Sequence, residues 1–305
     1  MSLWRPASAD DRWPSRIQVF VANSASNTVT VYDTRFGQVV ATVPVGRNPV
    51  GVGAVPGGDL VYVTNEQAAS VSAINARTHE VVATIPVGRN PFGVAATRDR
   101  AYVTNFGSDT VTVIDIATNR PLRDVPVGRF PHTPAVSPDG RFVYVTNNGG
   151  QSVTVIGTDD DDPITTIPVG RFPAGVAFSP DGERAYVANT GSNTVTVINA
   201  GRHRPIATKP VGRAPMGVAV TPGGRVHVAN SAEDTVSILD LSGDPVGPAV
   251  PVGKRPEGVA ASPDDSFVYV TNARSNTMSV LDARTGAVVA TVPVGLEPEG
   301  VAVTS

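Results

Sequence analysis

Residues 174–211 read AGVAFSPDGERAYVANTGSNTVTVINAGRHRPIATKPV, and their apolar positions recur with a period of two, not 3.6. Gly175-Val176-Ala177-Phe178-Ser179 is closed by Pro180-Asp181-Gly182. Arg184-Ala185-Tyr186-Val187-Ala188-Asn189 is followed by Thr190-Gly191-Ser192-Asn193. Thr194-Val195-Thr196-Val197-Ile198-Asn199 comes next, and Pro205 to Val211 ends the unit. Valine, threonine and aromatic residues divided by turn formers predict four short strands. Pro-Asp-Gly presets one φ and then supplies a residue tolerant of positive φ, so the first connection is a tight hairpin.

The unit recurs along the chain. Pro-Val-Gly begins at Pro44, Pro86, Pro126, Pro168, Pro210, Pro251 and Pro293. A second marker ends in Asn23, Asn65, Asn105, Asn147, Asn189, Asn230 and Asn272, and both series step by 40 to 42 residues. Radially repeated units of this size, each with four strands, predict an all-β, seven-bladed β-propeller of four-stranded antiparallel blades. The repeat opens on a second strand, Ile17 to Asn23, and ends on an unpaired first strand, Gly300 to Thr304. The C-terminal strand is therefore expected to join the N-terminal blade in a 1+3 clasp, which removes an open sheet edge. The expected organisation is an N-terminal arm, residues 1–16, and one propeller domain, residues 17–305.

Composition narrows the chemistry. The 305 residues include no cysteine, which excludes disulfides, thiolate metal sites and cysteine nucleophiles. A formal charge of −3 argues against coating nucleic acid through bulk electrostatics. No apolar run is long enough to span a bilayer, and Met1 to Arg16 lacks the apolar region of an export signal, so a cytoplasmic location is expected, with no membrane partner. No Gly-x-Ser-x-Gly elbow, His-Glu-x-x-His, phosphate loop or dinucleotide fingerprint occurs. Neither cofactor nor metal is expected.

Tyr62-Val63-Thr64-Asn65 and its six counterparts, with Pro-Val-Gly and Ser-Pro-Asp-Gly, resemble the YVTN-type seven-bladed β-propeller repeat family over residues 17–304. The resemblance implies the fold. Its members range over surface-layer, cell-envelope, DNA-binding and periplasmic proteins and lactonase-like or lyase-like enzymes. Virginiamycin B lyase is similar in architecture only, so no catalytic residue is carried over from it.

In such a meander the Pro-Asp-Gly hairpins share a bottom face, and the blade-to-blade connections after Pro-Val-Gly share the top face with the loops behind each marker asparagine. The bottom turns are nearly uniform, whereas the top loops vary, which is where a fixed scaffold holds a site. Asn48, Asn90, Phe130, Phe172, Ala214, Arg255 and Glu297 stand just before a shared proline, and Val50, Phe92, His132, Ala174, Met216, Glu257 and Glu299 just after it. One side is mostly apolar. The other carries Arg255, Glu257, Glu297 and Glu299, with His132 across the channel. Glu66 and Phe106, behind their asparagines, are placed on the same rim.

Two carboxylates on neighbouring blades raise one another's pKa and supply an acid beside a base. Glu257, Glu299 and His132 are therefore the candidate catalytic residues. Phe92, Phe130, Phe172, Met216, Arg255, Glu297, Glu66 and Phe106 are the candidate substrate-binding residues. The plainer alternatives are solvated glutamates, and a histidine whose odd Thr133-Pro134 neighbours serve packing. His79 and His203 fall in bottom connections, and His227 stands where most units have tyrosine.

Arg47, Arg89, Arg129, Arg171, Arg213 and Lys254 form a basic collar that either attracts an anion or repeats for structural reasons. The acidic loop Asp159 to Asp162 lacks the pattern of a calcium loop and reads as a solvated turn.

Two functions fit. The first is a monomeric small-molecule binder or non-redox enzyme (lyase, isomerase, cyclase or lactonase-like hydrolase) holding an amphipathic molecule in the top mouth. The second is a non-catalytic scaffold that binds protein, polysaccharide or nucleic acid through the top face. Nucleic acid is the least expected partner, since few aromatics interleave the collar.

Overall fold

The computed structural model describes residues 17–304 and contains seven four-stranded antiparallel sheets. The proposed arm, residues 1–16, lies outside the described residues. Blade 1 joins Pro298–Val303 from the end of the chain to Gln18–Asn23, Thr28–Asp33 and Gln38–Pro44. The closing strand thus begins two residues earlier than the sequence pattern indicates. Blades 2 to 7 have inner strands Pro49–Ala54, Pro91–Ala96, Pro131–Val136, Pro173–Phe178, Pro215–Val220 and Pro256–Ala261. Each inner strand touches the next around the full circle, so the propeller is closed. No helix among the described residues is long and apolar enough to cross a membrane.

The second strands are buried on both faces because each is sandwiched between two neighbouring blades. In blade 2, Val61 and Val63 pack toward blade 1 with Phe20 and Val31, while Tyr62 packs toward blade 3 with Val103 and Ile114. The outermost strands bury little beyond one residue, such as Ile85 in Val81–Pro86. A proline ending an outer strand costs no ladder bond, because nothing pairs beyond that edge.

Each marker residue has a repeated partner. Asn105 Nδ2 donates to Thr110 Oγ1 at 3.0 Å and to Thr112 Oγ1 at 2.8 Å, and the other six asparagines bond hydroxyls at the same two offsets. The glycine of Pro-Val-Gly lies flat against this asparagine: a Cβ on Gly88 would stand 2.5 Å from Asn105 Cγ. Gly295 N donates to Asn23 Oδ1 at 3.0 Å, so the same lock closes blade 7 onto blade 1.

The marker threonine reaches across blades. Thr64 Oγ1 accepts from Gly51 N at 2.8 Å and donates to Phe92 O of the next inner strand at 2.6 Å. The marker tyrosines do the same farther out. Tyr62 OH donates to Asn119 Oδ1 and Tyr102 OH to Asp161 Oδ1, each at 2.7 Å, and Tyr144 OH meets His203 Nδ1 at 2.8 Å.

One expectation changes. Asp161, in the acidic loop read as a solvated turn, is buried, because Tyr102 and Arg100 of the preceding blade both bond its carboxylate. His203, in its bottom connection, is an inter-blade partner of Tyr144. His227 is fully buried and its pKa falls to about 4 through desolvation, which keeps the ring neutral where five sister blades place a tyrosine and blade 1 places Phe20.

The lock predicts a coupled pair. Asn105→Ala should cost about 2 kcal/mol through two lost hydrogen bonds, and Gly88→Ala about 1–3 kcal/mol through overpacking. Measured by denaturant unfolding, the double variant should lose less than the sum, since removing the amide makes room for the new methyl. Strict additivity would show that the two do not form one unit.

Candidate functional site

Entry into every inner strand uses one backbone device. The residue before the shared proline sits in the left-handed region at all seven junctions, from Asn48 (φ 53) to Glu297 (φ 49). Its N–H is often held by the preceding blade, as where Asp234 Oδ1 accepts from Arg255 N at 2.9 Å. This reversal separates the two residues flanking the proline. Six of the seven after it line the central mouth, Val50, Phe92, His132, Met216, Glu257 and Glu299, whereas Ala174 is buried outside the lining. Those before it, Phe130, Phe172, Arg255 and Glu297, do not line the cavity, and all four are exposed on the rim. Glu66 and Phe106 also lie outside the lining.

The mouth encloses about 150 Å³ between valines 52, 94, 176, 218, 259 and 301, and the inward residues named above. Glycine follows the inward residue in six inner strands because neighbouring strands nearly touch. A Cβ on Gly258 would stand 2.5 Å from Glu299 O, and one on Gly217 2.4 Å from Glu257 O. Blade 4 alone has Thr133 there.

On the acidic side, Glu257 is 6% exposed. Its Oε1 accepts from Arg255 Nε at 2.7 Å and from Ser231 Oγ at 3.3 Å. Burial raises its pKa, and Arg255 and Ser231 pull it back. Glu299 has no such cation of its own. Burial first, then repulsion from Glu257, pushes it up to about 8, against the pull of Arg255 and with Glu297 and Glu66 adding to the negative field. Near neutral pH Glu299 therefore keeps its proton, beside a Glu257 that is paired with Arg255.

The opposite wall is aromatic. His132 is 9% exposed, with its Nδ1 3.0 Å from Thr133 Oγ1 and its ring 3.8 Å from that of Phe92, centroid to centroid. Burial lowers its pKa to about 3, so it stands neutral at pH 7. It can donate or accept a hydrogen bond there, but it carries no charge opposite the carboxylates. Phe106 follows Phe92 at 6.2 Å and stacks on Phe130 at 5.0 Å with 15° between planes.

Thr133 and Ser231 received no role from the sequence, though signals existed. Thr133 replaces a glycine kept in six sister strands. Ser231 follows a marker asparagine, the slot that singled out Glu66 and Phe106.

The collar is largely tied down locally. Arg47 and Arg171 donate to Gln67 O and Gly191 O, Arg213 pairs with Glu233, Lys254 pairs with Asp234, and Arg129 lies over the Phe130 ring. Glu66 is held by Asn48 Nδ2 and, at 3.4 Å, by Asn90 Nδ2.

The family model described as Lactonase, 7-bladed beta-propeller, matches residues 55–205, from blade 2 into blade 5. His132 and the aromatic wall fall inside the match, and both carboxylates fall beyond it. No curated protein matches the chain.

Several solved structures share the fold. Kuenenia stuttgartiensis hydrazine synthase is 24% identical, over 87% of this chain and 92% of that one, with a TM-score of 0.80. A putative 6-phosphogluconolactonase from Bacteroides fragilis is 17% identical over 99% and 100%, with a TM-score of 0.80. The periplasmic gluconolactonase of Pseudomonas aeruginosa is 20% identical over 95% and 99%, with a TM-score of 0.77.

The raised Glu299 pKa carries a stability consequence. A carboxyl titrating near 8 when folded and near 4.5 when unfolded favours the folded state at low pH. That contribution is lost as pH rises through the folded value. Glu299→Gln should therefore match the parent in Tm at pH 4 and exceed it at pH 9, by a stability difference of at most about 5 kcal/mol. Equal Tm values at both pH values would show that the carboxyl is not perturbed.

Proposed function

We propose that this chain is a lactonase-type hydrolase that opens a small cyclic ester in the central mouth, on a scaffold built from YVTN-type repeats. The observation that carries this reading is the pair of carboxyls on adjacent inner strands, one ion-paired and one retaining its proton. The match to the lactonase propeller model favours hydrolysis over lyase or isomerase chemistry. Two structures with this fold are described as gluconolactonases, one of them putatively. A cavity of about 150 Å³ suits one ring, since an engineered cavity of that volume holds benzene.

The chemistry follows from the proton inventory. Glu257, as carboxylate, takes a proton from a water that attacks the ester carbonyl carbon. Glu299, as carboxylic acid, hydrogen-bonds the developing oxyanion and then gives its proton to the ring oxygen as the C–O bond breaks. The products are a hydroxy acid and a pair whose proton now sits on Glu257. Transfer of that proton to Glu299 through solvent restores the starting state. Neutral His132 is a hydrogen-bonding wall for the substrate, not a proton store.

A pH-stat assay against a panel of lactones tests this. Glu257→Gln and Glu299→Gln should each lower kcat about 10²-fold or more. Parent activity above the spontaneous rate should fall as pH rises past about 8, where Glu299 loses its proton. Wild-type rates in both folded variants would remove the assignment.

A further inference from the structure

We propose that the preferred substrate is an uncharged lactone carrying an aromatic or other flat apolar group, and that phosphorylated or otherwise anionic sugar lactones are disfavoured. This rests on the hydrolase reading for the reaction, but the binding preference stands on separate observations.

The first is charge. No lysine or arginine lines the cavity among the described residues, whereas Glu257 and Glu299 both do. Arg255, which stands on the rim, has its Nε bonded to Glu257 at 2.7 Å, so its charge is already partly neutralised by a carboxylate of the mouth. Glu66 and Glu297 deepen the negative field at Glu299. An anion entering here meets like charge in a poorly solvated space, which is an element of rejection built into the mouth.

The second is a stack of rings leading outward. His132 lies against Phe92, Phe92 is followed by Phe106, and Phe106 lies parallel on Phe130. Phe130 is 38% exposed and is held in the left-handed region at φ 53, where a non-glycine residue is disfavoured. Its ring packs so tightly on the loop behind the blade 4 marker asparagine that a Cβ on Gly149 would stand 2.5 Å from it. The nearest collar cation, Arg129, covers the same ring at 5.3 Å. The aromatic edge is thus braced from both sides and continuous from the rim to the cavity. Such a wall stacks flat apolar groups and places no cation inside the cavity for a sugar phosphate.

Two measurements on the full chain separate this proposal from the reaction it rests on. Hydrolysis of dihydrocoumarin, an uncharged aromatic lactone, is compared with that of phosphorylated gluconolactone. Calorimetry then compares the corresponding non-hydrolysable aromatic lactam with the phosphorylated aldonic acid.

The expected result is a kcat/KM at least tenfold higher for the aromatic lactone, and measurable binding of the lactam alone. Phe106→Ala, remote from both carboxyls, should weaken lactam binding and lower dihydrocoumarin kcat/KM, each by about tenfold. Lactam binding without hydrolysis of any lactone would uphold the ligand class and sink the hydrolase reading. Tighter binding or faster turnover of the phosphorylated compounds, or no lactam binding at all, would overturn the proposal.

Discussion

Seven inner strands approach one another so closely that a single methyl group at most of their glycines would collide with the neighbouring backbone. At Gly51 the clash would be with Phe92 O, at 2.2 Å, and at Gly300 with Val50 O, at 2.4 Å. This contact depends on residues several ångströms outward. In the four blades that carry it, the marker threonine bonds its own inner strand and the next one, and in all seven the marker asparagine seats the glycine of the preceding outer strand. The blades stand at a repeat distance set by backbone, not by the size of side chains. What remains free to vary is the residue each inner strand turns toward the axis.

That constraint generates the electrostatics of the mouth. Two glutamates on adjacent strands of so tight a ring cannot move apart to relieve repulsion, and burial removes the water that would otherwise screen them. Arg255 bonds one of them and acts on the other only through its field, so the pair is asymmetric before any ligand arrives. The opposite wall has no charge to share, because desolvation keeps His132 neutral. A channel with a proton-bearing edge and an aromatic edge follows from repeat geometry plus a handful of departures from the repeat.

The fold was legible because its markers are bonding partners. Each asparagine is followed at fixed offsets by two hydroxyl residues, and the bonds between them leave a periodic trace in the sequence. The inward residues after each proline were equally legible once the strand direction was known. The residues before the proline were not. Hydrophobic alternation carries no sign of φ, so Phe130, Phe172, Arg255 and Glu297 looked equivalent to their inward neighbours. The asparagines at the same position in blades 2 and 3 were the available hint, since asparagine tolerates the left-handed region. Asp161 was misread for a different reason: its partners Arg100 and Tyr102 lie about sixty residues away on another blade.

The central claim is that Glu299 keeps its proton at neutral pH because Glu257 and burial deny it a place for charge. Infrared difference spectroscopy of the carboxyl stretch, titrated from pH 5 to pH 10 and compared with Glu299→Gln, measures this directly. The account predicts one protonated carboxyl band at pH 7 that disappears with an apparent pKa of about 8 and is missing from the variant. A chain whose carboxyls are all ionised by pH 6 would contradict it.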